Sequence, residues 1–70
     1  MRTPAQIYDA YRNGDSLTGE ELVVGIAFYG ELADKAMKAG DTFRLMAVEA
    51  RRVHIQLENF QTARQRKWKP

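Results

Sequence analysis

The sequence predicts an all-α fold, a short N-terminal helix followed by a long antiparallel helical hairpin, and three observations predict it. Two helix-start signatures stand at Thr3-Pro4-Ala5-Gln6 and Thr18-Gly19-Glu20-Glu21. Glycine stop signals follow at Asn13-Gly14 and Ala39-Gly40-Asp41. An apolar series at alternating spacings of three and four runs through Phe43, Met46, Ala50, Val53, Leu57 and Phe60, the period of a helix that buries one stripe.

The first helix is expected over residues 4–12. Thr3 is placed to cap it, Pro4 suits the first helical position, and Gln6 stands where a capping box needs its reciprocal acceptor. Ile7, Tyr8 and Tyr11 fall on one side. A helix this short is marginal alone, so it must lie on the rest of the chain.

The second helix is expected over residues 19–39. Thr18 and Glu21 form the capping-box pair, and Leu17 and Leu22 stand at the two positions of a hydrophobic staple. Lys35 and Lys38 lie near its end, the favourable place for cations. Leu22, Ile26, Tyr29, Ala33 and Ala36 form its stripe. Gly25 and Gly30 lie inside it, each costing about 1 kcal/mol against alanine. Such glycines suggest a neighbouring backbone packed closely, with a hinge as the alternative.

The third helix is expected over residues 42–66, free of Gly and Pro throughout. At 1.5 Å per residue it extends about 37 Å. Its a/d-type series ends at Phe60, since the next member is Arg64. The very short connection at Gly40-Asp41 makes the two long helices antiparallel neighbours.

Both long helices carry more apolar side chains than one seam can use. Val23, Val24, Phe28 and Leu32 lie off the stripe of the second, and Leu45, Val48 and Ile55 off that of the third. Surplus of this kind marks an interface. A homodimer, giving a bundle of four long helices, is the expectation, and a monomeric three-helix bundle is the alternative. A chain of 70 residues without cysteine has no disulfide staple, and its core alone supplies only about 3–5 kcal/mol.

Charge is unevenly distributed. Residues 1–63, read as a single helical domain, carry seven basic and nine acidic side chains, whereas residues 64–70, read as a basic C-terminal tail, carry four basic and no acidic ones. The absence of cysteine excludes thiolate chemistry, and a single histidine excludes a multi-histidine metal site. There is no apolar run long enough to span a membrane, and the polar start after Met1-Arg2-Thr3-Pro4 predicts no signal peptide.

No catalytic, cofactor or metal-binding constellation is predicted. His54 lies beside the seam, where a lone histidine is expected to be partly buried. Glu58, one turn further on, is placed either to pair with it or to be solvated. Ser16 has no histidine near it in sequence, and Glu20 and Glu21 are accounted for by the helix start.

The expected activity is therefore binding another protein, as an adaptor or stoichiometric inhibitor. Tyr8, Tyr11, Phe28 and Trp68 are the candidate anchors, because aromatic side chains dominate interface energetics. The alternative is a nucleic-acid-binding accessory protein using Arg44, Arg51 and Arg52 with Arg64, Arg66, Lys67 and Lys69, though Glu49 and Glu58 interrupt that surface. A headgroup contact through Trp68 between Lys67 and Lys69 is the weakest reading, since so short a segment offers little apolar area.

In its brevity, lack of cysteine, helical-hairpin pattern and basic C-terminal end, the chain resembles the small accessory proteins encoded by bacteriophages and prophages. The resemblance covers the whole chain but contains no diagnostic motif, so no functional residue is carried over from it. Runs such as Leu22–Leu32 (LVVGIAFYGEL) and Phe43–Phe60 (FRLMAVEARRVHIQLENF) identify no specific family. The resemblance implies a cytoplasmic protein that modulates a host factor or a phage process by stoichiometric binding.

Overall fold

The computed structural model describes residues 1–67. It is built from helix α1 (Pro4–Asn13), helix α2 (Gly19–Lys38), a 3-10 turn (Asp41–Phe43) and helix α3 (Arg44–Lys67), and no strand occurs among the described residues. Trp68, Lys69 and Pro70 lie outside them.

Local chemistry sets the helix starts. At α1 the Thr3 hydroxyl accepts from the Gln6 backbone N–H at 3.2 Å, and the Gln6 amide oxygen accepts from the Thr3 N–H at 2.9 Å. The same reciprocal pair closes α2, with 3.0 Å between Thr18 and Glu21 in both directions. These bonds satisfy donors that a helix N-terminus otherwise leaves unpaired. α1 stops at Gly14, whose φ of 77° is left-handed and favours glycine. There the Asp15 N–H reaches back to the Ala10 carbonyl at 2.9 Å, closing the last turn.

α2 and α3 are antiparallel. Gly25 lies against Leu57 and Gly30 against His54, while Met37 shares a depression with Ala47, so α3 positions fall as α2 positions rise. The connection turns at Gly40, with φ of 100°, and a single 3-10 turn then feeds α3.

The core gathers at the end of the hairpin remote from this connection. Ile7 from α1, Leu22 from α2 and Leu57 from α3 are fully buried there, with Leu17, Ala10 and Val53 around them. Each large buried side chain contributes about 1.5–3 kcal/mol of transfer free energy. α1 lies on this end because Gly25 has no side chain. A Cβ there would come within 3.1 Å of both the Ile7 Cγ2 and the Leu57 Cδ1. The two helix glycines thus admit side chains from neighbouring helices, Ile7 and Leu57 at Gly25 and the His54 ring at Gly30, rather than a neighbouring backbone.

Toward the connection the seam changes character. The residues buried between α2 and α3 there are Ala33, Ala36, Ala47 and Ala50. The large members of the expected series on α3 lie outside: Phe43 is 43% exposed and Met46 48%. Phe43 belongs to the 3-10 turn, which advances about 120° per residue rather than 100°, so its phase does not continue that of α3. Alanine seams bring helix axes close, which leaves no room for Met46. Phe60, 37% exposed, faces the α1 aromatics rather than the α2 seam.

Glu21 is the one buried acidic side chain among the described residues. The Thr18 N–H it accepts holds its carboxyl below the ordinary value, assisted by Arg2 3.6 Å away and opposed by burial. A carboxyl lowered in the folded state contributes stability that is present above the carboxylate range and lost as pH falls through it. Below about pH 5 the melting temperature of the wild type should therefore fall more steeply than that of Glu21→Gln, which keeps the capping acceptor but does not titrate. Parallel curves would remove this role for Glu21.

Candidate protein-binding surface

The sequence-predicted anchors have unequal positions. Tyr8 and Tyr11 are half-buried and pack on the core. Their rings belong to a continuous run of five: Phe60 meets Tyr11 at 5.4 Å between centroids, Tyr11 meets Tyr8 at 6.2 Å, Tyr8 meets Tyr29 at 6.1 Å, and Tyr29 meets Phe28 at 5.1 Å. Three of the four contacts are edge-on and one is stacked, and each such pair adds about 0.5–1.5 kcal/mol. The run crosses all three helices and, with the Tyr29 hydroxyl 3.5 Å from the Pro4 carbonyl oxygen, fastens α1 to the hairpin. Burial raises the Tyr29 hydroxyl above its ordinary value, with Asp9 adding to the effect. Phe28, at the end of the run, is exposed. Trp68 lies outside the described residues.

The basic side chains also divide. Arg64 lies in α3, and its Nη1 donates to the Leu17 carbonyl oxygen across 47 positions of sequence. Arg2 donates to the neighbouring Ser16 carbonyl at 2.8 Å, so two guanidiniums hold the loop between α1 and α2. Arg52 pairs with Glu49 at 3.1 Å on the α3 surface. Arg44 and Arg51 are exposed, line one depression together, and enter none of the ion pairs among the described residues. Arg66 is exposed. Lys67 ends α3, and Lys69 lies outside the described residues.

His54 is half-buried between the long helices. A carbonyl oxygen only accepts, so the 2.7 Å contact between its Nδ1 and the Ile26 oxygen places a proton on Nδ1. Nε2 lies 3.2 Å from Oε1 of Glu58, an ion pair when the ring is protonated. No group of three His, Cys, Asp or Glu side chains among the described residues is placed to hold a metal ion, and no helix among them is long and apolar enough to cross a membrane.

Two surfaces remain, one on each side of the alanine seam. The α2 stripe that faces α1 runs Gly25, Tyr29, Leu32, Ala36 and Ala39 at helical spacing. α1 covers its first half, with Ile7 at Gly25 and Pro4 at Tyr29. Past Pro4 the same stripe is open, as an apolar slot of about 200 Å³ lined by Leu32, Ala36, Ala39, Phe43 and Met46 with Lys35 at its rim. On the other side, Met37 and Val48, each 59% exposed, lie with Ile55, Arg44 and Arg51 along adjoining depressions. Sequence reasoning misses the slot because it assigns Phe43 and Met46 to the seam.

Comparison with known proteins identifies no relative: no protein-family model, no curated protein and no solved structure matches the chain.

The two arginines at the end of α3 should respond differently to truncation. Arg64→Ala removes the clamp on Leu17 and should cost about 1–2 kcal/mol of unfolding free energy in urea, whereas Arg66→Ala should change it by under about 0.5 kcal/mol. Equal effects would show that the Leu17 contact contributes nothing.

Proposed function

We propose that this chain is a non-catalytic helical binding protein, acting on another protein as an adaptor or stoichiometric inhibitor, and that it works as a homodimer with four long helices. A cytoplasmic site of action and the accessory role typical of small phage-encoded proteins belong to the same reading.

The observation that carries it is the open slot in line with α1. α1 already demonstrates, within the chain, that an amphipathic helix fits this stripe of α2. The slot extends the stripe by apolar side chains of a size that water covers at a cost, since each large side chain left exposed forgoes about 1.5–3 kcal/mol. A partner helix that lies end-on to Pro4 and inserts apolar side chains between Leu32 and Met46 recovers it, in the manner of helix-in-groove recognition. Phe28, exposed beside the aromatic run, lies on the flank of the same helix.

The nucleic-acid reading has less support. Of its proposed contacts, Arg64 is engaged with Leu17 and Arg52 with Glu49, which leaves Arg44, Arg51 and Arg66 as the exposed arginines of α3 that enter none of the ion pairs among the described residues. Phosphate recognition draws its affinity from many such charges.

The test is comparative capture from cells of the source organism. A tagged wild-type chain should retain a defined protein at near one-to-one ratio, and Phe43→Asp/Met46→Asp should lose it while keeping its helical circular dichroism, because both side chains are outside the core. Retention of the same proteins by both chains, or of none by either, contradicts the slot as a binding site.

A further inference from the structure

The side of the hairpin away from α1 carries an apolar floor and two charge types on separate edges. Met37 on α2 and Val48 and Ile55 on α3 form the floor, all exposed. Asp34, on the α2 edge, lines one depression with Met37 and Arg51. Arg44 and Arg51, seven positions apart and hence on one face of α3, line the adjoining one with Met37 and Val48, and Asp41 of the connection lines it too. None of Asp34, Asp41, Arg44 and Arg51 forms an ion pair among the described residues. A face with an acidic left edge, a basic right edge and an apolar middle is complementary to itself under a two-fold rotation.

We propose that this face is where two copies of the chain meet, with the two-fold axis along the hairpin. α2 of one copy then lies over α3 of the other, and Asp34 of each faces Arg51 of its partner, with Arg44 beside it. This inference rests on the homodimer proposed above and gives it an orientation. The other two-fold arrangement, with the axis across the hairpin, lays α2 on α2 and opposes Arg44 and Arg51 to the partner's own arginines, which like-charge repulsion disfavours. The chosen orientation brings both connections to the same end, covers Met37 and Val48 with the partner's Val48 and Met37, and supplies bulk to the stretch whose own seam is alanine. It leaves the α1 side and its slot free.

Charge reversal tests the orientation. Asp34→Lys alone and Arg51→Glu alone each replace two attractive contacts per dimer by two repulsive ones, and each should raise the dimer dissociation constant at least tenfold in sedimentation at low salt. Mixing the two variants should restore dimerisation to near wild-type strength as a heterodimer. In that pair the introduced lysine faces the introduced glutamate, and the remaining Asp34 faces the remaining Arg51. Glu31→Lys, exposed on α2 and outside both depressions, should leave the constant unchanged. Circular dichroism of each variant verifies that it is folded, and the substituted side chains are all exposed. Wild-type dimers indifferent to both reversals, a mixture that stays monomeric, or equal loss in Glu31→Lys overturns the orientation while leaving a homodimer standing. A wild type that is monomeric at 100 µM, a concentration far above about 1 µM expected of a specific pair, overturns the homodimer itself and leaves the slot's partner reading to its own test.

Discussion

The alanines buried between α2 and α3 control the molecule. Ala33, Ala36, Ala47 and Ala50 let the helices approach closely near their connection, and a close approach has no space for larger side chains. Phe43, Met46 and Leu32 are displaced to one side of that narrow seam, and Met37 and Val48 to the other. A methyl group buries little, about 0.8 kcal/mol per carbon, so this end of the hairpin is held weakly by its own contacts and displays its apolar side chains outward.

The opposite end is finished. There the missing side chain of Gly25 leaves space that Ile7 and Leu57 occupy, and α1 closes the core with Ile7, Ala10 and the aromatic run. The loop between α1 and α2 is secured by carbonyl contacts from Arg2 and Arg64 and by the Thr18–Glu21 capping box. The fold is therefore asymmetric along its length. Stability is concentrated where three helices meet, and unsatisfied apolar surface is concentrated where only two do. Binding surfaces are drawn from the less stable part of a structure because ordering it against a partner is where free energy remains to be gained. The proposed slot and the proposed self-complementary face both lie at that end, on opposite flanks of the same seam, so occupation of one does not obstruct the other.

Features determined within a few residues are legible in the sequence. Thr3 with Gln6, Thr18 with Glu21 and the left-handed stop at Gly14 follow from backbone hydrogen bonding and conformational freedom that neighbours alone decide. Features that depend on which helix faces which are less so. The a/d series places Phe43 and Met46 in the seam because spacing weighs an apolar side chain by its position and not by the room opposite it; Ala47, one position out of phase with that series, is buried instead. The 3-10 turn at Asp41–Phe43 shifts the phase further. Tyr8 and Tyr11 stand out as anchors by residue type, and only the packing of α1 engages them with Phe60 and Tyr29. Arg64 reads as part of a tail because its acceptor, Leu17, is distant in sequence. The pairing of His54 with Glu58 is one of two readings that helical spacing allows, and the bond from His54 to the Ile26 carbonyl has no sequence signal at all.

Apolar surface at the connection end, which a lone chain leaves uncovered, is the feature on which both proposed interfaces depend. Sedimentation equilibrium of the untagged wild-type chain between 0.1 and 100 µM tests the homodimer most directly, with those concentrations bracketing a dissociation constant of about 1 µM, equivalent to about 8 kcal/mol. The expected result is a species of twice the chain mass that gives way to the monomer only on dilution. A single species at the chain mass across the whole range would contradict the homodimer.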